Sequence, residues 1–224
     1  MRTIQILIFL PLFILIHFQL KAQKTAFFED VQKEINMGKE LFEQGKYNAV
    51  FRQFEKIQTQ VSEKSEVYSE AEYFKSVSAL KAGHASGSKM MNKFISDYPE
   101  SPYINGAWFN LGTHQFDKRQ YAIALRSFGQ VDRDDLSEND RIQLQYQTGY
   151  ANLTEENLDQ AAAEFYAIKD ANHFYSRPAT YYWAHVMYLQ EKYESALQGF
   201  SKLNGDPSYS KVIPLYVSHI YYKL

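Results

Sequence analysis

Apolar residues recur every three or four positions from Val31 onward, the spacing of one face of an α-helix. Phe51, Phe54 and Ile57 form one such stripe, followed by Phe74, Val77 and Leu80. Trp108 with Leu111, Leu158 with Ala161, Phe165 and Ile168, and Tyr193 with Ala196, Phe200 and Leu203 form the later ones. Polar breaks separate them: Glu43-Gln-Gly45-Lys-Tyr47, the turn Gly83–Ser88, Asp97-Tyr-Pro-Glu-Ser-Pro102, Asp132–Asp140 and Asn204-Gly-Asp-Pro207. At all of these places except Asp132–Asp140, glycine or proline ends a helix and turns the chain. The pattern predicts an all-α chain, organised around Trp108–Phe128, which reads as a helix, a tight turn and a second helix.

That unit repeats in phase. Phe128 has counterparts at Phe54, Phe94, Phe165 and Phe200, with successive separations of 40, 34, 37 and 35 residues. Sixteen residues before each Phe stands a small residue: Gly38, Ser78, Gly112, Gly149 and Ala184. Four before each stand Val50, Met90, Ala124, Ala161 and Ala196. Two antiparallel helices approach closely only where side chains are small, and the Phe fills the space between one pair and the next. Extra length around Val61–Ser69 accounts for the 40-residue step.

Trp108, Leu111 and Gly112 on the first helix, with Ala124 and Phe128 on the second, resemble the tetratricopeptide repeat. Gln115 and Leu136 stand where that pattern has Tyr and Pro. The resemblance implies a right-handed superhelical solenoid of about five and a half helix-turn-helix repeats over residues 31–224. The last repeat is incomplete: Val212–Leu224 reads as its first helix, with Ser218 placed 34 residues after Ala184. Tyr216, Ile220, Tyr221 and Leu224 are apolar for a capping helix, so a fragment of a longer protein is the expectation. The YPESP sequence at residues 98–102 also resembles repeats of exported bacterial envelope proteins.

Composition narrows the function. The formal charge is −2, which argues against a nucleic-acid surface. There are no cysteines, so disulfides, thiolate chemistry and an N-terminal lipidated Cys are excluded. Arg2, the apolar run Ile4–Phe18 and Leu20-Lys-Ala22 read as a secretory signal peptide over residues 1–22. The apolar run is shorter than the roughly 20 residues of a spanning helix. Membrane contact is therefore expected only through this segment, if it stays uncleaved. The expected location is the periplasm or cell envelope.

Reactive constellations are absent from the sequence: it has no zinc-protease, nucleophile-elbow, P-loop or dinucleotide fingerprint. No catalytic residue, cofactor or metal is expected. The acidic stretch Asp132–Asp140 lacks the Gly of a calcium loop and places Leu136 at a ligand position, so a solvated loop with Ser137 or Asn139 capping the next helix is expected. His185 and His219 occupy one repeat position but lack an acidic third ligand, which leaves them as polar groove residues.

The resemblance implies a concave groove lined by the first helices of the repeats. On this phasing the groove residues are Phe109, Phe116, Tyr146, Tyr150, Tyr181, His185, Tyr188, His219 and Tyr222. This lining is aromatic and nearly uncharged, which suits contact area and hydroxyl hydrogen bonds better than the gripping of an acidic peptide terminus. The expected function is a non-catalytic protein–protein scaffold of the bacterial cell envelope that docks a protein or peptide segment in this groove. The alternative is a glycan- or peptidoglycan-binding module using the same face.

Overall fold

The computed structural model describes residues 29–224, and all secondary structure among them is helical. The signal segment 1–22 lies outside the described residues. The chain divides into two compact units, one ending at Phe94 and the other starting at Ile95. The first holds α1 (residues 29–43), α2 (Tyr47–Gln60), α3 (Glu66–Lys81) and, as far as Phe94, α4 (Gly87–Asp97), which make two helix–turn–helix pairs. The second holds the pairs α5 (Ile104–Asp117) with α6 (Tyr121–Phe128), α7 (Glu138–Thr154) with α8 (Leu158–Ile168), and α9 (Ser176–Leu189) with α10 (Tyr193–Ser201). The unpaired α11 (Ile213–Lys223) follows. Consecutive helices pack on one another within each unit, giving an all-α, tetratricopeptide-like repeat architecture.

The small-residue and Phe positions form the joints. Phe54, Phe94, Phe165 and Phe200 are fully buried and Phe128 nearly so. A Cβ placed on Gly112 would lie 2.5 Å from two ring carbons of Phe128. One on Gly38 would lie equally close to Phe54, and one on Gly149 2.9 Å from Phe165. Glycine is required here by contact with a ring rather than by backbone conformation. In the amino-terminal unit Phe54 also stacks on Phe74 at 4.9 Å.

A second repeating position emerges in the turns. Gly45, Arg119, Glu156 and Glu191 each stand nine residues before their Phe, and all four adopt φ near +60° to +70°. This left-handed residue ends the first helix of the pair. It suits Gly45 and strains the other three by about 1–2 kcal/mol each. Glu156→Gly is therefore expected to stabilise the protein by up to about 1 kcal/mol, after the entropy glycine loses on folding. A raised urea midpoint with an unchanged slope would report it.

The connection from α6 to α7 is pinned from both sides. Asn105 accepts from the Asp132 amide at 2.8 Å and donates to the Asp132 carbonyl at 2.9 Å. Arg133 donates to both carboxylate oxygens of Glu164, at 2.9 and 2.6 Å. Ser137 caps α7, accepting from the Asp140 amide at 3.2 Å, as the sequence predicts.

Candidate functional site

The first helices α5, α7, α9 and α11 of the carboxy-terminal unit carry the predicted groove residues. Neighbouring first helices touch directly. Thr113 donates to Gln147 at 3.1 Å, linking α5 to α7. Phe116 and Tyr150 meet edge to face at 5.7 Å. Tyr150 meets Tyr182 of α9 at 5.2 Å. The Tyr188 hydroxyl lies 2.7 Å from Nδ1 of His219, linking α9 to α11.

These contacts build one aromatic ladder. Tyr121 joins Phe116 and Tyr150 at its lower end. Tyr146 stacks on Tyr175 at 4.4 Å, Tyr182 on Phe165 at 5.5 Å, and Tyr181 on Tyr209 at 5.0 Å. Tyr216 of α11 stacks on Phe200 at 5.1 Å and meets the edges of Tyr188 and His185. The ladder is thus the outer layer of the core, which begins beneath it at Phe165, Ala184 and Phe200.

The nine predicted residues divide into three groups. Phe109 is buried in the cluster of Ala124, Phe128, Val131 and Leu144. It serves the core and offers no surface, which corrects its assignment to the groove. Phe116, Tyr146, Tyr150, Tyr181, His185 and Tyr188 are half-buried. His219 and Tyr222 are exposed, Tyr222 at 85%.

The sequence reading missed Tyr175, Tyr182, Tyr209 and Tyr216. A signal was present for two of them: Tyr182 and Tyr216 both stand two residues before the small position and are 34 residues apart.

Burial sets the electrostatics of this face. Desolvation raises the phenol of Tyr182 to about 12, and it raises Tyr146 and Tyr181 further still. Tyr175 is raised by burial and then by the charge of Asp117. An unfolded tyrosine loses its proton near pH 10. Between pH 10 and 12 the unfolded chain therefore holds fewer protons than the folded one, and stability falls as pH rises. Titration of tyrosinate absorbance is expected to show these phenols ionising above pH 10, with the urea midpoint dropping across the same interval. Ionisation of all the tyrosines in one step near pH 10 would contradict this.

His185 is lowered by burial, and its Nδ1 is buried with no hydrogen-bond partner. His219 is engaged by Tyr188. Among the described residues, no group of three or more His, Asp or Glu is placed to hold a metal ion. Asn152, the acceptor position of the sequence Asn152-Leu-Thr154, is buried and receives a hydrogen bond from Asn157. Among the described residues, no helix is long and apolar enough to cross a membrane.

No family model matches the sequence, and no curated protein matches it. The chain is similar to the crystal structure of a thermophilic TPR protein from Thermus thermophilus, at 17% identity and a TM-score of 0.44, covering 84% of this chain and 97% of the other. The repeat architecture stands on the packing described above.

Proposed function

We propose that this protein is an exported, non-catalytic interaction scaffold that docks a protein segment on the aromatic face of its carboxy-terminal unit. The observation that carries this reading is the ladder from Phe116 to His219, in which one neutral aromatic face spans four successive first helices, with Tyr222 exposed one turn further along α11. Such a face offers large rigid rings at low entropic cost, and hydroxyls that can meet a partner's backbone. The apolar run Ile4–Phe18 supports export to the cell envelope.

Ring geometry favours a protein segment over a glycan. Sugar recognition by stacking needs open ring faces. Here Tyr146, Tyr181, Tyr182 and Tyr216 each give one face to a neighbouring ring. What they leave for a partner is mostly edge and hydroxyl.

The test uses the carboxy-terminal end of the ladder, with circular dichroism confirming that the variant stays folded. Bead-bound parent protein and a Tyr188→Ala/Tyr222→Ala variant are presented to extract of the cells that make it. The proposal predicts a discrete protein retained by the parent and reduced at least tenfold in the variant, on the scale of a hot-spot loss. Equal retention by both would refute it, and retention of soluble glycan without protein would transfer the site to the glycan reading.

A further inference from the structure

A charged pocket forms where the ends of α8 and α10 meet α9. Lys169 follows the last turn of α8 and Lys202 the last turn of α10. Both line a pocket of about 100 Å³, with Tyr166, Trp183 and Gln198 also in its walls. None of these residues belongs to the aromatic ladder. A Cβ on Gly199 would lie 3.1 Å from the Trp183 ring, so α10 holds that ring in place at the pocket. The Lys169 side chain is only 9% exposed. Its ammonium lies over two rings, 4.4 Å from the centre of Tyr166 and 5.5 Å from that of Trp183. Lys202 donates to one carboxylate oxygen of Asp170 at 2.8 Å, and Lys169 donates to the other.

This arrangement leaves positive charge over. A lysine ammonium has three N–H donors. Asp170 takes one from Lys169, and the ring faces offset the remaining charge only in part. The same exposed carboxylate also serves Lys202, and among the described residues no second acid acts on Lys202. Two ammoniums against one carboxylate give the pocket a net charge of +1. We infer that this pocket binds the carboxylate of a ligand, which accepts from Lys169 and Lys202 while Tyr166 and Trp183 pack against the carbon that bears it. Charge selects the group. A carboxylate neutralises the pocket, whereas a phosphate dianion would leave an uncompensated negative charge against partly buried walls. An acidic side chain and a chain terminus both present the required group. The site does not depend on the function proposed for the ladder.

The probes are N-acetylglutamate α-amide for an acidic side chain, N-acetylalanine for a chain terminus, and inorganic phosphate. All are titrated at one ionic strength set with chloride, at about pH 8, where phosphate is a dianion. Binding to the 224-residue chain is read from its two indole N–H signals in nitrogen–proton correlation spectra, assigned with Trp108→Phe. Trp108 packs in the cluster around Phe128 and serves as the internal control. The Trp183 signal is expected to shift saturably with the carboxylates while that of Trp108 stays, and phosphate should bind more weakly. The tighter of the two carboxylate probes identifies the source of the group. Lys202→Gln should weaken both about tenfold, the loss of one charge-assisted hydrogen bond. Asp170→Asn should tighten both and favour phosphate, because it removes the competing carboxylate and raises the pocket to +2. A purely structural role for Asp170 would give no such gain. Circular dichroism of each variant confirms the fold. An unresponsive Trp183 signal, unchanged affinity in Lys202→Gln, weaker binding in Asp170→Asn, or tighter binding of phosphate than of carboxylate to the parent overturns the inference.

Discussion

Phe165→Ala is expected to lower stability by about 3–5 kcal/mol, the range for removing a fully buried phenylalanine. Phe165 is 0% exposed and touches four sets of neighbours at once. Its ring fills the gap left by Gly149, stacks on Tyr182 and meets the edge of Tyr146, while Ile168 and Ala161 share its helix face. Neither Gly149 nor Ala161 can expand into the cavity, and the tyrosines are held by their own partners. Little collapse is available, so the cost falls at the high end. A thermal melt should drop by on the order of 10 °C. A loss under about 1 kcal/mol would mean that the repeat joints are looser than their geometry indicates.

Changing Tyr146, Tyr150, Tyr181 and Tyr188 together to alanine is expected to abolish cooperative folding of the carboxy-terminal unit. Each ring is half-buried, and each contacts at least two other aromatic rings. At roughly 2 kcal/mol per truncated ring the sum is about 8 kcal/mol, within the range of a whole domain's stability. The four couple through Tyr182 and Tyr216, so simple addition is only a guide. The matching Tyr→Phe variant retains the rings and should stay folded, losing only hydroxyl hydrogen bonds worth about 1 kcal/mol each. Loss of the near-ultraviolet aromatic signal in the alanine variant, with retention in the phenylalanine variant, is the expected pair of results. A folded alanine variant would show that the ladder is an applied surface rather than part of the core.

That dual character marks the limit of what sequence reveals here. The joints were legible because they depend on identity at a fixed period: a small residue, then a phenylalanine sixteen positions later. The strained turn residues were not, because Arg119, Glu156 and Glu191 carry no local signal for a left-handed backbone where Gly45 does. The site was half legible. Placing Tyr150, Tyr188 and His219 on one face follows from helical phase alone. Whether a ring on that face points outward depends on the angle between successive pairs, which periodicity does not encode. Phe109 illustrates this: it is three residues from Gly112, yet it turns into the cluster around Leu144. Tyr182 shows the converse, bridging Tyr150 and Phe165 from a position whose one sequence signal is the matching Tyr216.

The most direct test of the docking face is site-specific photocrosslinking in cells. A benzophenone amino acid replaces Tyr188 on the ladder or the exposed Tyr222 beside it, and Ala163, exposed on α8, as the control. The account predicts that positions 188 and 222 capture the same partner, through one contiguous segment identified by mass spectrometry, while position 163 does not. Adducts equally abundant from position 163, or none from position 188 or 222, would contradict it.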